Sequence, residues 1–214
     1  MLYKEAVSAE LLTVLQTLCL IPELTSFRLV GGTAIALQMG HRRSIDIDFF
    51  SNEKIDMALV KGVLSRKFPK TQIDLTDTNI MAEVNGVRLE LYHDWMMPFI
   101  KNAVAEEGIR MAALEDLAAF KLSAITGRRE KKDYIDLFFL FRKFGAINVL
   151  QEFKKYDSLL SPKSLLFALT EINTAVQNKS PMPDMLLPLS WPEASKLILQ
   201  AATEYLHLVG KNKI

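Results

Sequence analysis

Residues 30–50 read VGGTAIALQMGHRRSIDIDFF, and the fold turns on this stretch. Gly31-Gly32 closes a short apolar run, FRLV (27–30), and opens the helix-prone TAIALQM. That is the punctuation of a strand passing into a helix. A polar turn, GHRRS, then leads into IDIDFF (45–50), where Ile45, Ile47 and Phe49 alternate with Asp46, Asp48 and Phe50. A two-residue period is the mark of a strand.

Working outward, residues 55–68 predict a helix with Ile55, Leu59, Val63 and Leu64 on its inner side. QIDLTD and IMAEV follow, then Asn85-Gly86, then VRLELY. An Asn-Gly between alternating apolar residues signals a β-hairpin. Toward the N-terminus, Leu11, Leu12, Leu15, Leu18 and Cys19 fall on one face of a helix, where Cys19 reads as packing. From Leu114 onward the pattern is helix after helix, with breaks at Gly127, Gly145, Ser161-Pro162 and the Pro-rich SPMPDMLLPLSWP. YIDLFFLF is apolar except for Asp136, so that helix should be buried nearly all round. Trp95, Trp191 and the phenylalanines read as core. The plan is an α+β fold, a mixed sheet flanked by helices over residues 1–110, followed by an all-helical region over 111–214.

Composition excludes several classes. Of 214 residues, 50% are hydrophobic and 24% charged, which is globular and not disordered. One cysteine and no Cys/His cluster rule out a disulfide framework and a structural zinc site. A net charge of +1 gives no global field for nucleic acid, so any such contact must be local. Glu5, Glu10 and Gln16 interrupt the N-terminal apolar residues, leaving no membrane span and no signal-peptide pattern. The expectation is a cytoplasmic protein without membrane contact.

Asp46 and Asp48, two apart on a strand, project from the same face about 6–7 Å apart. Alone they also describe the solvent side of an edge strand. Carboxylate pairs suit hard cations, above all Mg²⁺, which takes one or two carboxylates together with substrate phosphates. Immediately upstream, Gly31, Gly32 and Thr33 put the N–H groups and positive end of a helix where an anion can sit. Together they describe a phosphate cradle facing a metal platform.

This combination resembles the nucleotidyltransferase superfamily of the DNA polymerase β type, and within it the AbiEii/AbiGii toxin family of abortive-infection and toxin–antitoxin systems. The resemblance runs through four segments in family order: the GGTA start, the DIDF strand, Lys121-Leu122 followed by Arg128-Arg129, and KDYIDL (132–137). It implies a third carboxylate on a neighbouring strand, which Glu90 of VRLELY supplies where relatives carry Asp; Asp74 and Asp94 are its rivals. It also implies catalytic roles for Lys121 and Asp133, a lysine meeting phosphates and an aspartate that binds substrate or orients that lysine. Asp136, buried in an apolar helix, needs a cationic partner such as Lys121 or an arginine of the GRREKK turn. His41-Arg42-Arg43 and Arg128, Arg129, Lys131 and Lys132 are basic loops flanking the site; Arg43 and Arg128 are the candidate nucleotide ligands. The activity implied is NMP transfer from an NTP to an acceptor hydroxyl, with Mg²⁺ or Mn²⁺ on Asp46, Asp48 and Glu90, tRNA as acceptor, and a cognate antitoxin. A small-molecule or protein acceptor, or a non-catalytic module of the same fold, are the alternatives.

Overall fold

The structure is a computed structural model that describes residues 1–93, 96–156 and 161–211. Contacts divide the chain into two units, Met1–Ala113 and Leu114–Ile214.

In the first unit, Ser8 caps helix α1 (Ala9–Cys19) by accepting from the Leu11 N–H, 3.1 Å. Its buried face is Leu11, Val14, Leu15, Leu18 and Cys19, with Leu12 only half-buried. Burial pushes the Cys19 thiol pKa up, the opposite of an activated nucleophile. Strand β1 (Arg28–Leu29) leads into α2 (Gly31–Met39), and β2 (Asp46–Phe50) into α3 (Met57–Lys67). Asp56 caps α3 by accepting from the Ala58 and Leu59 N–H groups. The helix therefore starts at Met57, and its buried face is Met57, Val60 and Leu64. Leu59, expected inside, is 53% exposed.

Strands β3 (Ile73–Leu75), β4 (Asn79–Val84) and β5 (Val87–Tyr92) form an antiparallel meander. Asn85 (φ 51°) and Gly86 (φ 78°) make the tight hairpin turn, two left-handed residues whose twist matches the flanking strands. A further hairpin, β6 (Val104–Glu106) and β7 (Ile109–Met111), has no counterpart in the sequence reading. The seven strands form one mixed sheet in the order β3-β4-β5-β2-β1-β7-β6. Strands β2 and β5 run parallel, β2 and β1 antiparallel. One face carries the buried Ile47, Phe49, Ile80, Leu89 and Leu91. Helix α1 packs on β2, β5 and β7, and α3 on β3 and β4.

The second unit is helical: α4 (Leu114–Gly127), α5 (Lys131–Phe144), α6 (Ala146–Phe153), α7 (Pro162–Thr170), α8 (Ile172–Gln177) and α9 (Trp191–Lys211). Every residue of α5 from Tyr134 to Phe141 is buried. The Tyr134 hydroxyl donates to the Ala168 carbonyl at 2.7 Å, and burial raises its pKa to about 12. Residues 162–178, read as one helix, break at Glu171, whose ψ of 5° leaves the helical range. Trp191 is half-buried at the start of α9. Among the described residues no helix is long and apolar enough to cross a membrane. Trp95 and Asp94 lie outside the described residues.

Candidate active site

Helix α2 begins directly at the end of β1. Its N-cap, Val30, offers no side chain to the helix start, and the first turn holds no acid. The N–H groups that every helix start leaves over are thus met by no acid from the helix itself, and the nearest carboxylate at Gly31 is that of Asp48. Gly31 has φ +67°, a conformation that costs an L-residue about 1–2 kcal/mol. A Cβ there would also collide with the Asp48 carboxylate, meeting Oδ2 inside van der Waals contact and Cγ at 3.3 Å. Gly32 is closed off in the same way by Arg42, whose Cζ would stand 3.2 Å from a Cβ.

Two further ties fix β2 beneath this turn. The Val30 N–H donates to the Asp48 carbonyl at 2.8 Å. The Thr33 hydroxyl is bonded to the Asp46 carbonyl and lies 2.8 Å from the Ser44 hydroxyl. Thr33 is 1% exposed, so its side chain serves this tether and only its backbone faces the helix start. The GHRRS turn is not the solvated loop its composition suggests: His41 is fully buried and Arg42 is 3% exposed. Arg42 donates to the Arg43 carbonyl at 3.0 Å, while the Arg43 side chain points to solvent.

The β2–β5 register decides which carboxylate joins the pair. Asp46 stands beside Arg88 and Asp48 beside Glu90, and directly paired residues share a face. Glu90 is thus one strand spacing, about 4.8 Å, from the Asp48 position. Asp74 shares the face but lies on β3, three spacings or about 14 Å from β2. Arg88 grips the Glu90 carboxylate. Its own pKa is raised, chiefly by the hydrogen bond and charge of Glu90, with Asp46 and Asp48 adding to it. Sequence reasoning passed over Arg88, although its place two residues before Glu90 was enough to put it on the same face. Among the described residues, no three His, Cys, Asp or Glu side chains converge as a ready-made metal site. The donor set is nevertheless that of a hard cation: two aspartates and a glutamate on one face of neighbouring strands, beside a glycine that leaves Asp48 room.

In the second unit, Lys121 and Asp133 come together. The Lys121 ammonium, 5% exposed, lies 2.7 Å from Asp133 Oδ1 and 2.8 Å from Asp136 Oδ2. Arg128 closes a fork on Asp133, Nε to Oδ2 at 2.8 Å and Nη2 to Oδ1 at 3.2 Å. Both aspartates are fully buried. Burial pushes the Asp133 pKa up, but Lys121 and Arg128 more than reverse this and hold it below the ordinary 3.8. Lys121 is thus an internal counter-charge joining α4 to α5. Arg128, its side chain half exposed, is the cation of this group that reaches the surface.

Comparison with known proteins agrees with this architecture. Residues 13–89 match the family model of the nucleotidyl transferase AbiEii toxin, a type IV toxin–antitoxin system. The match begins in α1 and ends one residue before Glu90. An uncharacterised protein of Aquifex aeolicus, aq_aa25, is 25% identical over 190 residues, covering 84% of this chain and 88% of that protein. A crystal structure from H. pylori, provisionally described as a nucleotidyltransferase, superposes with a TM-score of 0.54 at 19% identity, covering 94% of this chain and 96% of the other. The antibiotic-resistance factor ANT(2″)-Ia, in complex with adenylyl-2″-tobramycin, matches 68% of this chain and 94% of its own with a TM-score of 0.50 at 14% identity. Residues 13–89 thus match the AbiEii nucleotidyl transferase family model, and the fold of the chain is that of nucleotidyltransferases.

Proposed function

We propose that this chain moves an NMP from an NTP to an acceptor hydroxyl on tRNA, as the toxin of a toxin–antitoxin pair with a cognate antitoxin. One observation carries the reading. The Asp48 carboxylate is packed against the glycine start of α2, in register with Glu90 and two residues from Asp46. An anion at the helix start would thus meet a carboxylate platform, an arrangement that repels phosphate unless cations intervene.

Asp46, Asp48 and Glu90 would hold Mg²⁺ or Mn²⁺. When bound, such ions lower the pKa of an attacking hydroxyl and offset the charge of a triphosphate. The backbone of Gly31, Gly32 and Thr33 receives phosphate oxygens, with glycine allowing close approach. Arg42 shapes that turn from beneath Gly32, and Arg43 is the exposed cation of the same loop. In the helical unit, Arg128 offers an exposed cation for an anionic group such as an RNA backbone, aimed by the buried Asp133. Lys121 acts through Asp133 and Asp136, as a positioning residue. With tRNA as acceptor and an antitoxin as partner, the place of action is the cytoplasm.

The test is label transfer from each of the four [α-³²P]NTPs to total tRNA, with an aminoglycoside mixture as a parallel acceptor and Asp48→Asn as control. Labelled tRNA that disappears in D48N, with the variant still folded, supports the proposal. Label on the aminoglycosides alone replaces tRNA by a small acceptor. No transfer with any NTP and either acceptor, beside tight NTP binding, returns the chain to a binding module.

A further inference from the structure

Strands β2, β5, β4 and β3 gather five carboxylates on one face. Cross-strand pairing sets Asp46 beside Arg88, Asp48 beside Glu90, Arg88 beside Glu83, and Glu90 beside Met81, which in turn faces Asp74. Among the described residues of those four strands, Arg88 is the single cation on that face. Arg28 lies on the same face of β1, opposite Phe50, but its guanidinium is engaged elsewhere. It stacks on Phe99 at 4.5 Å and donates to the Lys101 carbonyl at 2.8 Å. Arg88 therefore stands in the middle of the acidic face, holding the Glu90 carboxylate on a side chain that is itself 65% exposed.

We propose that Arg88 is a built-in counter-cation of the carboxylate platform: it neutralises Glu90 in the ion-free protein, competes with a divalent cation for that ligand, and so sets the ion concentration the site requires. The proposal rests on the reading of Asp46, Asp48 and Glu90 as cation ligands. Its physical basis is the spacing. Like charges on adjacent same-face positions destabilise a sheet unless a cation lies among them, and Arg88 is the cation the sheet supplies. The guanidinium of this pair is 65% exposed and its carboxylate 17%, so the contact is partly solvated and weaker than a buried pair, and a divalent ion can displace it. The released guanidinium, on a flexible stem at the edge of the site, is then positioned to meet an anionic phosphate. A positioning role alone predicts the reverse effect. If Arg88 only aimed Glu90 at an ion, removing it would loosen ion binding.

Mn²⁺ binding distinguishes the two without reference to turnover. The titration follows the free Mn²⁺ EPR signal against the full-length wild type, Arg88→Gln, Arg88→Lys, Glu90→Gln and Asp48→Asn, with thermal melts as the check on folding. Removing a neighbouring cation shifts a carboxylate's ligand strength by about one pK unit or more, so R88Q should bind Mn²⁺ at least about tenfold more tightly. R88K, which keeps the charge, should stay near wild type; E90Q should bind more weakly. Mn²⁺ affinity unchanged or reduced in R88Q, while the wild type still transfers label to an acceptor, overturns the counter-cation and leaves the enzymatic reading standing. Mn²⁺ binding that is absent from every protein, or as tight in D48N as in the wild type, overturns both.

Discussion

Gly31→Ala is the substitution that most directly probes how the helix start and the carboxylate platform depend on each other. Two effects add. Alanine at φ +67° costs about 1–2 kcal/mol from backbone strain alone. Its Cβ must also displace the Asp48 carboxylate, because Oδ2 is inside contact distance and Cγ would lie at 3.3 Å. The flexible end of Asp48 can swing aside, so the fold should survive, with a total loss of about 2–3 kcal/mol. The site should fare worse. A displacement of about 1 Å at a group that positions the reaction costs on the order of 100-fold in rate.

Gly86→Ala supplies the control. Gly86 has a comparable φ of +78°, yet nothing lies within 4 Å of a Cβ there. It should lose stability by about 1–2 kcal/mol from the same backbone strain and keep its activity. Urea denaturation followed by tryptophan fluorescence measures the first quantity, and label transfer from [α-³²P]NTP to total tRNA the second. A G31A protein that transfers label within threefold of G86A would refute the reasoning, because Asp48 would then not depend on the space that Gly31 leaves.

Other consequences follow from the same contacts. Lys121→Met leaves two buried carboxylates facing each other without their shared ammonium, and should destabilise the helical unit by about 3–5 kcal/mol in urea melts; Lys121→Arg should recover only part, since the site is closed around an ammonium. Folded Asp133 releases its proton more readily than an ordinary carboxylate, so unfolding takes up a proton as the pH falls below about 3.8. Its contribution to stability should therefore be complete above that value and be lost progressively below it, and Asp133→Asn should flatten that part of the pH–stability curve. Thr33→Val removes the hydroxyl bonded to the Asp46 carbonyl and should cost about 1 kcal/mol, leaving a part-buried acceptor without that donor.

Where the chain's local chemistry and its tertiary surroundings agree, the fold was legible. The two-residue alternation of IDIDFF marked β2, Asn85-Gly86 marked the β4–β5 hairpin, and the apolar run of α5 marked a buried helix. The β6–β7 hairpin was hidden because each strand is three residues long and its turn uses Glu107 at φ 50°, a residue that does not advertise left-handed backbone. The inner face of α3 was misread because the Asp56 cap fixes the helix start, which periodicity alone does not. Burial of His41 and Arg42 was invisible for a different reason. A basic turn looks solvated until a glycine helix start makes room for a guanidinium beneath it. Lys121 was singled out both as a cation for phosphate and as a partner for Asp136, and its ammonium is indeed held between Asp133 and Asp136 of the next helix.

The parallel pairing of β2 with β5 accounts for more of the site than any single residue. Strand partners share a face, so one register gathers Asp46, Asp48, Glu90 and Arg88 without the help of a loop. A one-residue slip of β5 would exchange Arg88 and Glu90 for Val87, Leu89 and Leu91, putting apolar side chains on the polar face and charges into the core. The apolar faces of the two strands thus enforce the position of the carboxylates. Leu89 and Leu91 are completely buried, as are their register partners Ile47 and Phe49. Packing energy on one side of the sheet holds in place the like charges that repel on the other. The carboxylates and the glycine helix start that would bind ions and phosphates are therefore set by regular secondary structure, which is the condition for a preorganised site.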